Sequence, residues 1–278
     1  MGQKTNPTAL RPISDFYHGC PQWGVDQFNY ITYQVKKLLR ACCKNSEIYL
    51  NEVHLSLFHD FLLISCEFLN LHSEPNKKRR SRRFIENSIT YRTKHSKKSW
   101  STVLKRLYCA IRLIQTFTGQ KRIKIRIKRI KMYTQSIPKR ARQKTTFYTK
   151  GFNRSKFDYA RSGMQLITLI MQNRATIDTL ADFIRNNIRT RSRRRKHLDF
   201  LRFLKQGIEA LETHKKIKGI KIQIKGRFGH KPKGRSKIWK MQLGPMPLGR
   251  FKASIKARYR QAQTKLGSVG IKTWIYIN

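Results

Sequence analysis

Acidic residues are scarce in this chain. Only 14 aspartates and glutamates stand against 62 lysines and arginines among 278 residues, which gives a formal charge of +48 at pH 7. Residues 87–157 and 213–278 contain no acidic residue at all. Because charge of one sign opposes compaction unless something neutralises it, we expect a polyanionic partner. Nucleic acid meets this need, since its phosphates bind lysine and arginine and release condensed counterions.

Other shortages exclude common classes of protein. The five cysteines include no CxxC pair, so we predict reduced thiols, mostly in the core, and neither a disulfide framework nor a zinc ribbon. No uninterrupted apolar run approaches the roughly 18 residues that span a bilayer. A cationic protein on a membrane surface is the alternative, but the basic residues are spread over all segments instead of lining one amphipathic helix, so no membrane partner is expected. The chain also lacks a P-loop, an HExxH motif and a nucleophile elbow. We therefore predict neither an enzyme nor a cofactor.

Asp178 and Asp182 stand four residues apart and share one face of a predicted helix. A nuclease metal site would require more carboxylates near them, because hard cations take several oxygen ligands. With so many arginines in the chain, we interpret the pair as part of intramolecular salt bridges.

The spacing of apolar residues divides the chain into four segments. Residues 1–26 contain three prolines and form an N-terminal arm. Residues 27–131 have the pattern of helix, strand, strand, helix and strand, with a basic insertion at about 71–99. Residues 132–175 lack periodicity and predict a basic linker or second insertion. Residues 176–278 predict an α+β domain of two helices followed by strands.

Basic residues in four settings are candidate RNA ligands. Residues 121–131 alternate isoleucine with Arg122, Lys124, Arg126 and Lys128, which predicts a strand with one dry and one cationic side. The others lie in the N-terminal arm, in charged runs that cannot pack inward without partners, and in the last domain. They are Lys4, Arg11, Lys77, Lys78, Arg79, Arg80, Arg82, Arg83, Lys97, Lys98, Arg191, Arg193, Arg194, Arg195, Lys196, Arg202, Lys205, Lys225, Arg227, Lys231, Lys233 and Arg235.

Two tryptophans receive different predictions. Trp239 stands between Lys237 and Lys240 and is a candidate for stacking on a base. Trp274 lies between Ile271 and Ile275 in a predicted strand, which favours packing in the core.

Several motifs resemble the bacterial small-subunit ribosomal protein three family. They are MGQKTNP at 1–7, Leu10-Arg11, KGIKIQIKGRFG at 218–229, Pro247-Leu248 and GSVGIKTWI at 267–275. Their order and spacing make the resemblance specific. It covers about residues 1–70, 100–131 and 176–278 and leaves out the two basic insertions.

The resemblance implies a fold. The expected class is α+β: a degenerate type II KH domain (helix-strand-strand-helix-strand) followed by a C-terminal α+β ribosomal domain, with two basic insertions. A KH domain holds a single strand with a GxxG loop, but residues 95–100 at the matching place contain no glycine. We therefore expect the KH unit to act as a scaffold. The GxxG strings at 226–229 and 267–270 are interpreted as structural turns.

The resemblance also implies partners and a function. We expect a structural constituent of the small ribosomal subunit head, bound to rRNA, with head proteins ten and fourteen as neighbours and no second copy of the chain. In that family, basic residues at the start of the C-terminal helix face incoming mRNA and help to unwind it. Residues 191–196, Arg202 and Lys205 occupy that region here, and simple rRNA phosphate binding is the alternative role. The alternative function is an RNA-processing or intron-splicing accessory factor that binds transiently.

The compartment is inferred from composition and from the first residue. Because the family's opening begins at Met1, we expect no import presequence. Frequent Ile, Lys, Asn, Phe and Tyr, together with the missing glycines, favour an organelle-encoded mitochondrial protein. Plastid and bacterial origins are the alternatives.

Overall fold

The computed structural model describes most of the chain outside its basic segments. The described residues are 7, 25–43, 48–58, 60–71, 100–120, 122–130, 143, 145, 147, 150–152, 159–190, 196–212, 215–227, 235–265 and 267–277. The chain divides into two compact units. The first unit is Tyr17–Ile130, and the second combines Met1–Phe16 with Lys131–Asn278. The segment boundaries drawn from the sequence after residues 26 and 131 stay a prediction.

The first unit contains two helices and three strands in the order that the sequence predicts. These elements are α1 (Val25–Cys42), β1 (Ile48–Leu57), β2 (Leu62–Asn70), α2 (Trp100–Thr118) and β3 (Ile123–Arg129). The sheet has the order β1-β2-β3, with β1 antiparallel and β3 parallel to β2. The predicted insertion at 72–99 lies outside the described residues.

The core of the first unit lies between the two helices and one face of this sheet. Val35 and Leu39 of α1 and Val103 and Ile114 of α2 are fully buried, at the spacing that places them on one side of a helix. Alternate residues of β1 and β2 meet them, and the other side of the strands carries mainly polar side chains, apart from Leu63 and the buried Tyr49 and Leu69. Helix α2 ends at Gly119, whose φ of 67° belongs to the left-handed region and whose N–H donates to the Gln115 carbonyl.

The second unit is a layer of helices on one face of a four-stranded sheet. Its elements are α3 (Tyr159–Met171), α4 (Ile177–Thr190), α5 (Lys196–Glu209), β4 (Gly219–Gly226), β5 (Lys237–Leu243), β6 (Ile255–Thr264) and β7 (Gly267–Tyr276), with a short 3-10 turn at Lys150–Phe152. The strands are all antiparallel and have the order β5-β4-β7-β6. The described part of the chain is therefore a mixed α+β structure with five α-helices.

The two faces of the four-stranded sheet are different. Ile220, Ile222 and Ile224 of β4 are buried on the face that the helices cover. We call the opposite side the open face. At one end of it Trp274, which is 7% exposed, packs with Ile255 and with residues of the segment before β6. This confirms that Trp274 belongs to a core.

Helix α3 corrects the predicted linker at 132–175. The structure places Tyr159–Met171 in a helix with eight buried residues, packed on α4 and α5. The last third of the predicted insertion is therefore part of the folded domain. Ala160, Gly163, Ile167 and Ile170 are buried at helical spacing, so the helix has an apolar face that the sequence argument overlooked beside the glycines and basic residues of the same segment.

Two strands also differ from expectation. Strand β5 is not predicted, because lysines and glutamine interrupt its apolar residues. Strand β6 begins at Ile255, whereas the sequence predicts a strand from Phe251. The segment before it turns instead: Ala253 N–H donates to the Arg250 carbonyl, and Phe251 is 63% exposed.

The thiols and the helices bear on two further expectations. Cys42, Cys43 and Cys66 are free and buried, and Cys109 is free and exposed, so the prediction of reduced core thiols is confirmed for most of the described cysteines. Cys20 lies outside the described residues. None of the described helices has the length and apolar character that crossing a membrane requires.

Candidate nucleic-acid interface

The predicted cationic row on β3 lies along the edge of the three-stranded sheet. Arg122, Lys124, Arg126 and Lys128 are all exposed. Ile123 and Ile125 pack against the core from the other side of the strand, whereas Ile127 is 45% exposed. Strand β3 therefore has a cationic side, and its opposite side is dry only in the first half.

Lys128 is not a free cation in this structure. Its Nζ donates to Glu67 Oε1 at 2.7 Å, and Asn51 Nδ2 donates to the other carboxylate oxygen at 3.3 Å. Burial raises the pKa of Glu67, but the hydrogen bonds from Lys128 and Asn51 outweigh it and hold that pKa below its usual value. A phosphate would have to compete with Glu67 for Lys128.

The other cations of the row keep their charge available. Lys124 Nζ lies 4.0 Å above the Phe61 ring, a cation–π contact that holds the ammonium near the surface without neutralising it. Arg126 stands opposite Ser65 in the sheet, which carries no charge. Arg122, Lys124 and Arg126 are therefore the residues of this strand best placed to bind phosphate.

Arg202 and Lys205 lie on the outer side of α5, with side chains 75% and 61% exposed. Each has an acidic neighbour on the same helix, Asp199 at 4.0 Å and Glu209 at 3.9 Å. Exposed pairs of this length contribute at most about 1 kcal/mol. Both basic side chains can therefore leave their partners for a phosphate. Lys196 is the first residue of this helix.

The second unit contributes three further cations. Lys225 is the last residue but one of β4, Arg227 directly follows β4, and Arg235 stands two residues before β5. All three are exposed. Trp239 is half-buried and stands opposite Ile224, so it lies on the helix-covered face. Its indole therefore offers only part of its ring surface to a base.

Many predicted ligands lie outside the described residues. They are Lys4, Arg11, Lys77, Lys78, Arg79, Arg80, Arg82, Arg83, Lys97, Lys98, Arg191, Arg193, Arg194, Arg195, Lys231 and Lys233. Their role in RNA binding stays a prediction.

Asp178 and Asp182 form salt bridges, as the sequence predicts. Arg258 Nε donates to Asp178 at 2.9 Å, and Arg260 bonds both carboxylates, Asp178 through Nη2 at 2.9 Å and Asp182 through Nε at 2.8 Å. Burial disfavours the charged Arg260, but the two carboxylates outweigh it and raise its pKa. Since arginine occupies these oxygens, the pair is a structural link between α4 and β6. No cluster of metal-ligating side chains occurs in the segments that the structure describes.

The two GxxG sequences lie at the ends of strands. Gly226 ends β4 and packs against Val269, and Gly267 opens β7 with a φ of 118° after a two-residue hairpin loop. Only glycine adopts that φ readily, which explains its place there. Residues 228–230 lie outside the described part.

Sequence reasoning missed the cations of the open face. Lys221, Lys240 and Lys272 lie on three neighbouring strands of this face and are absent from the predicted ligands. Their alternation with apolar residues was visible, but their common neighbourhood depends on the order β5-β4-β7, which the sequence does not provide.

Comparison with known proteins identifies the C-terminal part. The model of the family described as "Ribosomal protein S3, C-terminal domain" matches residues 191–275, a range that runs from just before α5 into β7.

Three similar proteins carry related names. Small ribosomal subunit protein uS3c of Tetradesmus obliquus is 40% identical over 73 residues, which are 26% of this chain and 10% of that protein. Its namesake of Chaetosphaeridium globosum is 40% identical over 77 residues, 28% of this chain and 29% of that protein. Small ribosomal subunit protein uS3 of Microcystis aeruginosa is 32% identical over 117 residues, 42% of this chain and 46% of that protein.

The chain thus matches less than half the length of each of these relatives. The family model and the relatives name the same ribosomal protein, S3. Both also agree with the resemblance of the motifs at the C-terminal end. The chain belongs to the ribosomal protein S3 family.

Proposed function

We propose that the chain is a structural constituent of the small ribosomal subunit and binds rRNA through phosphate contacts. The observation that carries the proposal is the matched C-terminal domain, in a chain whose basic residues exceed its acidic ones by 48. The relatives are named small ribosomal subunit proteins, which supports the same role. Phosphate contacts position a protein on RNA without reading its sequence, and exposed lysines and arginines suit that task.

The first unit serves in this proposal as a KH-like scaffold. Its helix-strand-strand-helix-strand order, with β3 parallel to β2, supports a degenerate type II KH fold. The row of Arg122, Lys124 and Arg126 would contact rRNA from the edge of its sheet. Without a GxxG loop, the unit would bind by charge and shape.

Helix α5 is the proposed contact with mRNA at the channel through which mRNA enters the subunit. Arg202 and Lys205 are exposed on it, and the arginines of 191–195 precede it in the sequence. Their ion pairs with Asp199 and Glu209 on the same helix are weak, so their charge stays available for mRNA as it passes. The neighbours in this proposal are head proteins ten and fourteen.

The proposed compartment is the mitochondrion, where the chain would be part of the organelle's ribosome. The composition rich in Ile, Lys, Asn, Phe and Tyr supports this location. Relatives named uS3c and uS3 occur in algae and cyanobacteria, so the plastid and the bacterial cytoplasm are the alternatives to test. Fractionation of cells that express a tagged chain distinguishes the three.

Sedimentation tests the proposed function. A tagged chain expressed in its own cells is followed through a sucrose gradient at high salt. We expect it to co-sediment with small subunits in one-to-one ratio to another ribosomal protein. A chain that dissociates from the subunits at high salt, as a transient processing factor would, contradicts the proposal. A matched gradient run after ribonuclease treatment shows that the co-sedimentation depends on RNA.

A further inference from the structure

Four lysines surround Gln223 on the open face of the second unit's sheet. Lys221 and Lys225 precede and follow Gln223 by two residues on β4, so all three side chains point to the same side. Lys240 of β5 and Lys272 of β7 stand directly opposite Gln223 on the neighbouring strands. We call these four residues the lysine cross. Its arms are about 5 Å long across the strands and about 7 Å along them at the level of the backbone.

The strands beneath the lysine cross supply no negative charge. The sequence from Thr213 to the end contains no aspartate or glutamate, so none of β4 to β7 carries a carboxylate. The carboxylates that reach this sheet, Asp178 and Asp182, come from α4 and bind arginines on the helix-covered face. No salt bridge to a lysine of the cross is formed within the described segments.

The three-stranded sheet of the first unit provides a contrast. Its outer face also carries exposed cations, but Glu67 lies among them and binds Lys128 at 2.7 Å. Glu52 on the same face lies 3.5 Å from His54. That face is partly neutralised by its own residues, and the lysine cross is not.

Aromatic rings hold two of the four ammonium groups on the open face. Lys221 Nζ lies 5.8 Å from the Trp274 ring centroid, and Lys272 Nζ lies 5.2 Å from that of Tyr259. The two rings meet edge to face at 6.2 Å. Because Trp274 is packed under the segment before β6, these rings form a fixed support. The two charges are thus held near the surface before any ligand arrives.

We propose that the lysine cross binds the phosphodiester backbone of an rRNA segment, which crosses the open face above Gln223. Lysine ammonium groups bind phosphate oxygens as point charges, and the Gln223 amide adds a donor between them. The proposal rests on the proposed function and gives it a specific surface that the sequence motifs do not point to.

The chemistry of the face favours RNA over an acidic protein as the occupant. Protein interfaces depend on a buried apolar or aromatic centre. The open face around the cross carries Gln242 and Gln261, and its Trp274 and Tyr259 rings lie beneath lysines. The exposed Ile238, opposite Lys225, stands on the edge strand away from those rings, so the apolar side chains form no common centre. Contacts made here would position RNA without stacking on its bases.

Binding to small-subunit rRNA, extracted from the same cells, tests the proposal. The variant replaces Lys221, Lys225, Lys240 and Lys272 with glutamine in the full chain. The control replaces the exposed Lys37, Lys105, Lys252 and Lys256 with glutamine, which removes the same charge elsewhere. Each lost phosphate contact lowers the slope of log affinity against log salt by roughly 0.7 to 0.9. We expect the slope of the cross variant to fall by about 3, whereas that of the control falls by less than 1.

The expected difference is large enough to measure. Between 50 and 200 mM salt, the wild-type affinity should fall by roughly 60-fold more than that of the cross variant. Replacing the same four lysines with arginine should preserve the slope, because arginine also binds phosphate. Circular dichroism of all variants detects a folding defect. The single Lys240→Gln variant changes only one exposed residue of an edge strand, and it should lower the slope by roughly 0.7 to 0.9 without affecting the fold.

Three results would overturn the proposal. One is an equal slope change in the cross variant and the control, which would mean that total charge alone matters. Another is labelling of purified small subunits by an amine-reactive reagent in which these four lysines are unprotected, or in which their protection survives ribonuclease treatment. The third is full loss of binding in the arginine variant. If the wild-type chain itself does not co-sediment with small subunits, the proposed function fails, and this is seen before any variant is made.

Discussion

Arg260 bonds Asp182 across the interface of strand β6 and helix α4, with Nε 2.8 Å from Oδ1. The same guanidinium reaches Asp178 one helical turn earlier through Nη2. Its side chain is 20% exposed, and those of the two carboxylates are 10% and 19% exposed. One arginine thus ties the helix layer to the edge strand and separates two carboxylates that would otherwise repel each other.

Replacing Arg260 with leucine should destabilise the second unit. Removing one partner of a buried pair costs roughly 3 to 5 kcal/mol, and partial exposure lowers our expectation to about 2 kcal/mol. Arg258→Leu is the control, because Arg258 is half exposed and bonds only Asp178, so we expect a loss of about 1 kcal/mol or less. Urea unfolding measures both, and equal losses would contradict the central role of Arg260.

Gly163→Ala should also destabilise the second unit. A Cβ at this position would lie 2.7 Å from Cε1 of Phe203 and 3.1 Å from Cζ of Phe183, which are rigid rings in the core. Overpacking costs roughly 1 to 3 kcal/mol, and alanine returns roughly 1 kcal/mol of helix propensity. We expect a net loss of about 1 kcal/mol in urea unfolding.

Gly207→Ala is the control for Gly163. Its Cβ would meet the flexible ends of Met164 and Ile167 at 3.0 and 3.1 Å, which can move aside. We expect its free energy of unfolding to stay within about 0.5 kcal/mol of the wild type. A Gly163→Ala variant as stable as this control would show that the packing of α3 on α5 is looser than the structure indicates.

Acid should weaken the first unit through Glu67. The pKa of Glu67 is lowered by Lys128 and Asn51 despite its burial, so its stabilisation is complete above the ordinary glutamate pKa of 4.5. As the pH falls below that value, Glu67 takes up a proton in the unfolded chain before it does so in the folded chain. The stabilisation therefore decreases and is gone once the pH lies below the lowered pKa of Glu67 in the folded chain. Urea midpoints between pH 6 and 3 measure this loss.

Three variants separate Glu67 from the general effect of acid. Lys128→Met removes its partner and should flatten the pH dependence below 4.5, as Glu67→Gln should. Lys124→Met removes an equal charge from the same strand but touches the Phe61 ring and no carboxylate. It should keep the wild-type pH dependence. The same flattening in Lys124→Met would mean that net charge, and not the Glu67 contact, sets the acid response.

Thiol reagents should distinguish the cysteines. Burial raises the pKa of Cys66 to about 12 and also raises that of Cys42. The reactive form is the thiolate, so both should stay unmodified by iodoacetamide at pH 8 in the folded chain, whereas the exposed Cys109 reacts. Peptide mapping by mass spectrometry checks this, with urea-unfolded protein as the reference. Rapid modification of Cys66 in the native chain would contradict its burial.

Local pattern predicted most of the elements correctly. The periodic apolar residues of α1 and α2, the alternation in β1 and β2, and the stop at Gly119 are signals that a few neighbouring residues carry. Helix α3 was missed although Ala160, Gly163, Ile167 and Ile170 have helical spacing, because Gly151, Gly163 and the basic residues of the segment favour a linker. Strand β5 was missed because its lysines and glutamine hide the apolar alternation.

The candidate site was less predictable than the fold. Total charge indicates a polyanion, but it does not distinguish Lys128, which Glu67 neutralises, from Arg126, which stands opposite a serine. That distinction depends on the register between β2 and β3. The lysine cross likewise depends on which strands are neighbours, and residues 221, 240 and 272 are too far apart in the sequence for a local pattern to join them.

The composition of the four strands beneath the lysine cross has a consequence for proton linkage. Strands β4 to β7 contain no aspartate, glutamate, histidine or cysteine, the residue types whose ordinary pKa values lie between about 4 and 9. These strands themselves should therefore keep a constant charge over that interval. A phosphodiester held here would be bound without proton uptake by the residues beneath it, and acidification would act on the complex through the histidines and carboxylates elsewhere in the chain.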